Sequence, residues 1–314
     1  MQDTDKTNAD SSNESTTETQ AANDIIHRFI FDKTDIRGEI VTLQNSFSQA
    51  YEHQSFHKSL RPVFGEFLAG AALLSEVLKF EGTLTLQAKG EGPVNFIMAE
   101  ATDKGDVRGI IRILDAHDRV RDFHNTDLQE LLGNGIITIT IDPVKGQRYQ
   151  GIVPIDAPNL AQCLEHYFAQ SEQLPTDISL FANEEYCGGL FLQCLPAQEI
   201  TSAEERAEKW ETAQHLAATV SADELFGLNN TDLLYRLFHE MECRVFEPKH
   251  ISFNCSCTRE RSKNAIQSIG KAEAQSLLQE RNVIQIDCQF CGQQYSFGES
   301  DLADIFPDES ETLH

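Results

Sequence analysis

Two closely spaced cysteine pairs near the C-terminal end constrain the folding of this chain more than any other feature. The first pair is Cys255 and Cys257, and the second is Cys288 and Cys291, which is followed by Gly292. Two pairs of soft thiolate ligands brought together by a short fold are typical of tetrahedral zinc coordination. The spacing therefore predicts one zinc ion per chain, bound by these four residues.

The segment around these cysteines is too small to fold on apolar burial alone. It is predicted to contain a helix at residues 265–280 and short strands at 283–286 and 295–297. Structural zinc contributes about 10–16 kcal/mol in small modules, whereas a whole domain is stable by only about 5–15 kcal/mol. We therefore expect the module, residues 251–314, to unfold when the metal is removed.

The first cysteine pair also suggests redox sensitivity. One residue separates Cys255 from Cys257, whereas two separate the paired ligands of most zinc ribbons. Each pair could form a local disulfide if the metal left, and the short Cys-x-Cys ring would be strained and readily reduced. The basic residues Arg259, Arg261 and Lys263 could stabilise thiolates, although they could equally form an ordinary solvated surface. Spacing alone leaves open whether the zinc is a switch or purely structural.

The rest of the chain divides by composition and periodicity. Residues 1–24 are almost all polar and lack aromatic side chains, which predicts a disordered tail. Residues 25–198 mix strand and helix patterns without a βαβ repeat, and residues 199–250 show helical patterns. The predicted fold class is therefore α+β, with a mixed N-terminal core domain, a helical connector and a small C-terminal zinc-binding module.

The periodic patterns predict individual elements. In the core, strands are expected at residues 29–31, 38–43, 84–88, 94–98, 137–141, 149–155 and 188–195, and helices at 60–78 and 160–170. In the connector, helices are expected at 203–220 and 232–243, and no strand. The apolar stripe of the first connector helix is mostly alanine, so Trp210 is its expected docking anchor and its docking should be weak.

Charge and motif content exclude several functions. A net charge of −25 repels nucleic acids and anionic membranes, which argues against a nucleic-acid-binding zinc ribbon. Four cysteine ligands leave no open metal position for catalysis, so we predict that the protein is not an enzyme. His250 is an alternative ligand that four thiolates make unnecessary. No signal peptide or membrane-spanning run is recognisable, so a soluble, cytoplasmic protein is expected.

Several motifs in order along the chain resemble one known family. They are Asp35-Ile36-Arg37-Gly38-Glu39, Lys79-Phe80-Glu81-Gly82-Thr83-Leu84-Thr85-Leu86-Gln87, Gly90-Glu91-Gly92-Pro93-Val94, Tyr149-Gln150-Gly151-Ile152-Val153, Tyr167-Phe168-Ala169-Gln170-Ser171-Glu172-Gln173-Leu174-Pro175-Thr176, Gly188-Gly189-Leu190 and the two cysteine pairs. With these motifs the chain, from Arg28 to Phe306, resembles the thirty-three-kilodalton heat-shock protein family of redox-regulated holdase chaperones.

The resemblance implies a specific switch. The reduced protein would hold zinc through the four cysteines and be inactive. Oxidation would pair Cys255 with Cys257 and Cys288 with Cys291, release the zinc, and unfold both the module and the connector. The uncovered surface would bind unfolding client proteins without ATP, and the oxidised protein would act as a homodimer.

Two features depart from the family pattern. The polar tail, residues 1–24, extends beyond it, and four further cysteines match no motif. Free cysteine is among the most buried residue types, so these four are predicted to lie in the core or the connector. They are Cys163, Cys187, Cys194 and Cys243. Cys243, in the connector, is the one expected to undergo side oxidation.

Overall fold

The computed structural model describes residues 24–114, 121–124 and 127–307. The predicted disordered tail lies outside the described residues, except for its last residue, Asp24. That residue is buried, and its carboxylate accepts hydrogen bonds from the backbone amides of Asn45 and Ser46. Asp24 therefore caps the first helix and belongs to the folded part of the chain.

The described residues form both helices and strands. The strands are β1 (Ile25–Phe31), β2 (Ile36–Leu43), β3 (Gly82–Lys89), β4 (Val94–Thr102), β5 (Asp106–Ile113), β6 (Ile136–Pro143), β7 (Tyr149–Pro154), β8 (Thr176–Ala182), β9 (Cys187–Cys194), β10 (Cys243–Val245), β11 (Lys249–His250), β12 (Ser252–Phe253), β13 (Ile284–Asp287) and β14 (Gln294–Phe297). The helices are α1 (Asn45–Glu52), α2 (Arg61–Val77), α3 (Leu128–Leu132), α4 (Leu160–Tyr167), α5 (Ala203–Ala217), α6 (Ala222–Gly227), α7 (Asn230–Phe238), α8 (Arg259–Ile269), α9 (Lys271–Arg281) and α10 (Glu299–Ile305). This mixture confirms the predicted α+β class.

Two sheets enclose the central helix α2. Sheet 1 has the strand order β10-β1-β2-β9-β8, with β11 also paired to β1, and sheet 2 has the order β12-β5-β4-β3-β6-β7. Side chains on every side of α2 are buried, among them Val63, Phe64, Phe67 and Leu73. A helix that is apolar all round is stable only when it is covered on all sides. The two sheets supply that cover, and the main core lies between them.

The connector helices cover the opposite face of sheet 1. Because side chains alternate along a strand, β1 directs Ile26 towards α2 and Phe29 and Phe31 towards the connector. Helix α7 contributes most of the buried connector surface, through Leu233, Leu234, Leu237 and Phe238. The buried residues of α5 are only Ala213 and Ala217, with Trp210 half-buried beside them. The thin stripe predicted for α5 is therefore present, but α7 is the main anchor.

The connector also departs from its predicted form. The second helix ends at Phe238 and not at residue 243, and the chain then forms two short strands, β10 and β11, where none was expected. In β10, Cys243 pairs with Phe31 of β1. Pairing satisfies backbone groups along the edge of β1 that would otherwise be left without partners, which outweighs the helical pattern of the sequence.

The described part of the C-terminal module contains three helices, α8, α9 and α10, where one was predicted. Gly270, with φ of 88°, separates α8 from α9. A positive φ of this size favours glycine and interrupts helical hydrogen bonding. The module packs around a small core, in which the buried residues are Ile266, Ala274, Ile284, Phe297 and Leu302. So small a core supports the expectation that the module needs a metal to fold.

Candidate metal centre

Two backbone segments deliver the four cysteines to one place. Cys255 and Cys257 follow β12, which pairs in parallel with β5 of sheet 2. They precede α8, whose N-terminus is capped by the Thr258 side chain. Cys288 and Cys291 lie in the turn of the β13–β14 hairpin. The first pair is thus attached to the core domain, and the second is carried by the module's own hairpin.

The four sulfurs form a compact cluster. All lie within 4.8 Å of one another. The Cys255 and Cys288 sulfurs are 3.6 Å apart, and the Cys257 and Cys291 sulfurs are 3.4 Å apart. In a tetrahedral four-thiolate zinc site with bonds of about 2.3 Å, neighbouring sulfurs are about 3.8 Å apart. The observed spacing fits this geometry, and the donor set is the one that soft or borderline metals such as zinc prefer.

The hairpin turn is shaped around the second pair. The amide of Gly292 donates to the Cys288 carbonyl at 2.8 Å, and the Cys288 amide donates to Gln293 at 2.9 Å. Gly292 has φ of 67°, and a Cβ there would lie 2.8 Å from the ring of His53. Glycine is therefore required both by the turn and by the core-domain side chain packed against it.

Burial and neighbouring thiols oppose ionisation of Cys291 when no metal compensates. Burial, followed by hydrogen bonds with the other cysteines, raises the pKa of Cys291 to about 12. The Tyr295 hydroxyl donates to the Cys257 sulfur at 3.3 Å, and this bond raises the pKa of Tyr295 to about 12. Four thiolates so close together need a cation to offset their mutual repulsion.

The basic residues after the first pair are engaged in structural contacts. Arg259 donates to Asp301 at 2.7 Å and lies over the ring of Phe297 at 4.3 Å. Arg261 donates to the Ser256 carbonyl at 3.0 Å. The cation that donates to a cysteine sulfur is instead Arg108 of β5, 3.6 Å from Cys255. No sequence signal pointed to Arg108, because it lies far from the cysteines along the chain.

The four remaining cysteines lie away from the metal centre. Cys163, Cys187 and Cys194 are buried and Cys243 is half-buried, in agreement with the predicted core and connector positions. Burial raises the pKa of all four thiols, that of Cys243 to about 11. They are poor nucleophiles in this conformation, which disfavours the expected side oxidation of Cys243 while the connector is docked.

Among the described helices, none is both long enough and apolar enough to cross a membrane.

A family model and individual relatives of this chain all point to one protein family. The family model described as Hsp33 protein matches residues 24–298. The 33 kDa chaperonin of Ectopseudomonas mendocina (strain ymp) is 45% identical over 285 residues, covering 90% of this chain and 95% of that protein. The 33 kDa chaperonin of Pseudomonas aeruginosa (strain LESB58) is 45% identical over 293 residues, covering 91% and 97%.

A solved structure shares the architecture. The crystal structure of the 33 kDa chaperonin (heat shock protein 33 homolog) from Thermotoga maritima superposes with a TM-score of 0.74 at 25% sequence identity. The alignment covers 90% of this chain and 97% of that one.

Proposed function

This chain belongs to the Hsp33 family, and on that premise we propose that it is a redox-regulated, ATP-independent holdase chaperone. One structural relationship carries the proposal. The four-thiol cluster closes a module with a very small core, and the same chain runs back through β12, β11 and β10 into helices that cover an apolar face of sheet 1. Metal binding or oxidation at the cysteines would therefore affect, through the continuous chain, whether the connector helices cover that face.

In the reduced state, Cys255, Cys257, Cys288 and Cys291 would hold one zinc ion per chain. Bound zinc supplies the positive charge that keeps four adjacent thiolates ionised and joins the two halves of the module. The flanking contacts from Tyr295 and Arg108 orient sulfur atoms at the cluster. The connector helices then remain docked on sheet 1, and the protein is inactive as a chaperone.

Oxidation would convert the cysteines from ligands into disulfides. With hydrogen peroxide as the oxidant, two thiolates of a pair lose two electrons and form one S–S bond. The peroxide O–O bond breaks and yields two hydroxide ions. We propose the pairs Cys255–Cys257 and Cys288–Cys291. Because a disulfide sulfur is a poor metal ligand, both reactions together abolish zinc binding and remove the free energy that holds the module folded.

Loss of the module would then release the connector. Strands β10 and β12 contribute only short pairings, so the α5–α7 helices depend on their apolar contacts with sheet 1. Undocking exposes the side chains of Phe29, Phe31 and Ile40 together with the apolar faces of the helices. A contiguous apolar surface of this kind binds unfolding polypeptides through the hydrophobic effect, with no need for ATP.

The remaining parts of the proposal follow the family. Its partners are unfolding client proteins and, after oxidation, a second copy of the chain. It is a cytoplasmic protein that does not bind nucleic acid or membranes and is not an enzyme. Its units are the tail (1–24), the core domain (25–198), the connector (199–250) with Trp210 as a docking contact, and the zinc-binding module (251–314).

The test is to treat the zinc-loaded full chain with hydrogen peroxide and to follow zinc release and suppression of client aggregation together. We expect both to rise in parallel and to reverse on reduction with a dithiol and resupply of zinc. A constitutive adaptor with a purely structural zinc would keep its zinc, or would lose it without gaining anti-aggregation activity. Either result would exclude the switch.

A further inference from the structure

The metal centre is in direct contact with sheet 2 through one half-buried arginine. Arg108 extends from β5, and its guanidinium donates to the Cys255 sulfur at 3.6 Å. The same group lies over the ring of Phe290, 4.2 Å from its centroid. Phe290 lies between Cys288 and Cys291. One core-domain side chain therefore contacts both cysteine segments.

The position of Arg108 is held from within sheet 2. Glu100 of β4 is the cross-strand partner of Arg108, and its carboxylate accepts from the guanidinium at 2.6 Å. The side chains of both residues are only 16% exposed. Breaking such a half-buried arginine–carboxylate pair is costly because removing one partner leaves an unpaired charge that is largely shielded from water. The guanidinium is thus held in place by sheet 2 itself.

A second arginine crosses the same interface without touching sulfur. Arg112, also on β5, donates to the side-chain oxygen of Gln289 at 2.7 Å and lies over Phe96 at 5.1 Å. It is exposed. Arg112 thus contacts an uncharged side chain of the same turn. A substitution of Arg112 changes docking of the turn without changing any contact with sulfur.

We propose that Arg108 is an outer-sphere positioning residue of the metal centre and couples docking of the module on sheet 2 to the charge on the Cys255 sulfur. Its hydrogen bond withdraws electron density from the thiolate, which slows attack by oxidants and stabilises the metal-bound form. Conversion of Cys255 to a disulfide removes the negative charge that the guanidinium faces. The contact with sheet 2 then weakens at the same step as metal binding. This inference rests on the proposed zinc switch.

The test uses the full chain loaded with Co²⁺ or Zn²⁺. The variant Arg108→Met with Glu100→Gln removes the sulfur contact without leaving the half-buried carboxylate unpaired, and Arg108→Lys retains charge and a donor. Arg112→Gln is the matched control. In the double variant we expect zinc transfer to a chromophoric chelator to be faster by about 10- to 100-fold. We also expect the sulfur-to-Co²⁺ charge-transfer band to move to longer wavelength, because a thiolate without its hydrogen bond is easier to oxidise.

Zinc release by peroxide should also be faster in the double variant, with Arg108→Lys between it and wild type. Arg112→Gln should leave the charge-transfer band unchanged. An unaltered band and unaltered zinc transfer in the double variant would overturn the role of Arg108, even if wild type is activated by oxidation. If wild type binds and releases metal without becoming a chaperone, the proposed function fails, and a shifted band still supports the coupling. If wild type takes up neither metal, both proposals are overturned.

Discussion

The ring of Phe238, the last residue of α7, meets the ring of Phe31 in β1 edge-on, with the centroids 4.9 Å apart. Neither side chain is more than 1% exposed. The pair joins the connector to the face of sheet 1 that the proposed switch would uncover. Edge-to-face aromatic pairs contribute beyond their buried area, so this contact is a principal attachment of the connector.

Truncating this attachment should activate the reduced protein. Phe238→Ala is expected to destabilise connector docking by about 3–5 kcal/mol, because it leaves a cavity against sheet 1. The zinc-loaded, reduced variant should then suppress client aggregation in a light-scattering assay. Hydrogen exchange should be faster in α5–α7. Tyr235→Ala is the control, since Tyr235 lies on the same helix and is 75% exposed. Equal inactivity of both reduced variants would show that connector docking does not control activity.

Removing one thiol should disable the metal site. If the binding free energy of about 10–16 kcal/mol is shared among four ligands, Cys255→Ser should weaken zinc affinity by about 10²- to 10³-fold. Competition against a chromophoric chelator measures this directly. Cys243→Ala, which removes a thiol outside the cluster, should retain wild-type affinity. Unchanged affinity in Cys255→Ser would remove that residue from the ligand set.

Peroxide should oxidise the cluster selectively. Mass spectrometry after alkylation should find the Cys255–Cys257 and Cys288–Cys291 disulfides, because neighbours in sequence stay close once the module unfolds. Cys163, Cys187 and Cys194 should remain reduced, since burial raises their pKa. The folded cluster also brings Cys255 within 3.6 Å of Cys288. Recovery of that cross-pair as the main product would contradict the proposed pairing.

Stability of the core domain should depend on pH through Glu39. This residue is 2% exposed, its Oε2 has no hydrogen-bond partner among the described residues, and burial raises its pKa to about 7. The folded state therefore keeps a proton that the unfolded state loses near pH 4.5. The free energy of unfolding should fall as pH rises from about 4.5 to about 7, by about 3 kcal/mol in total, and should then level off.

Glu39→Gln should remove this decline. The variant should match wild type near pH 4.5 and be more stable at pH 8, as measured by denaturant unfolding at a series of pH values. Glu52→Gln is a suitable comparison, since Glu52 lies at the surface end of α1. An identical pH profile for wild type and Glu39→Gln would show that Glu39 is already ionised in the folded state.

Much of the fold could be predicted from local patterns. The α2 helix, the β3–β4 hairpin and the strands β6, β7 and β9 were predicted because their periodicity is strong and their ends carry turn residues. The strands β5, β8, β10, β11 and β12 were not predicted. The last three contain only two or three residues each, too few for a period to be recognised. Their conformation depends on the open edges of β1 and β5, which no local pattern records.

The sequence by itself determined the two cysteine pairs of the candidate metal site, because the two residues of each pair are held together by the chain itself whatever the rest of the fold does. It also predicts that their module is too small to fold on its apolar core alone. Only the tertiary structure decided what the metal centre touches. Arg108 reaches Cys255 across 147 positions of sequence because β12 pairs with β5. Likewise, only the tertiary structure decided which face of sheet 1 the connector helices cover, because burial depends on where the sheet places its apolar side chains.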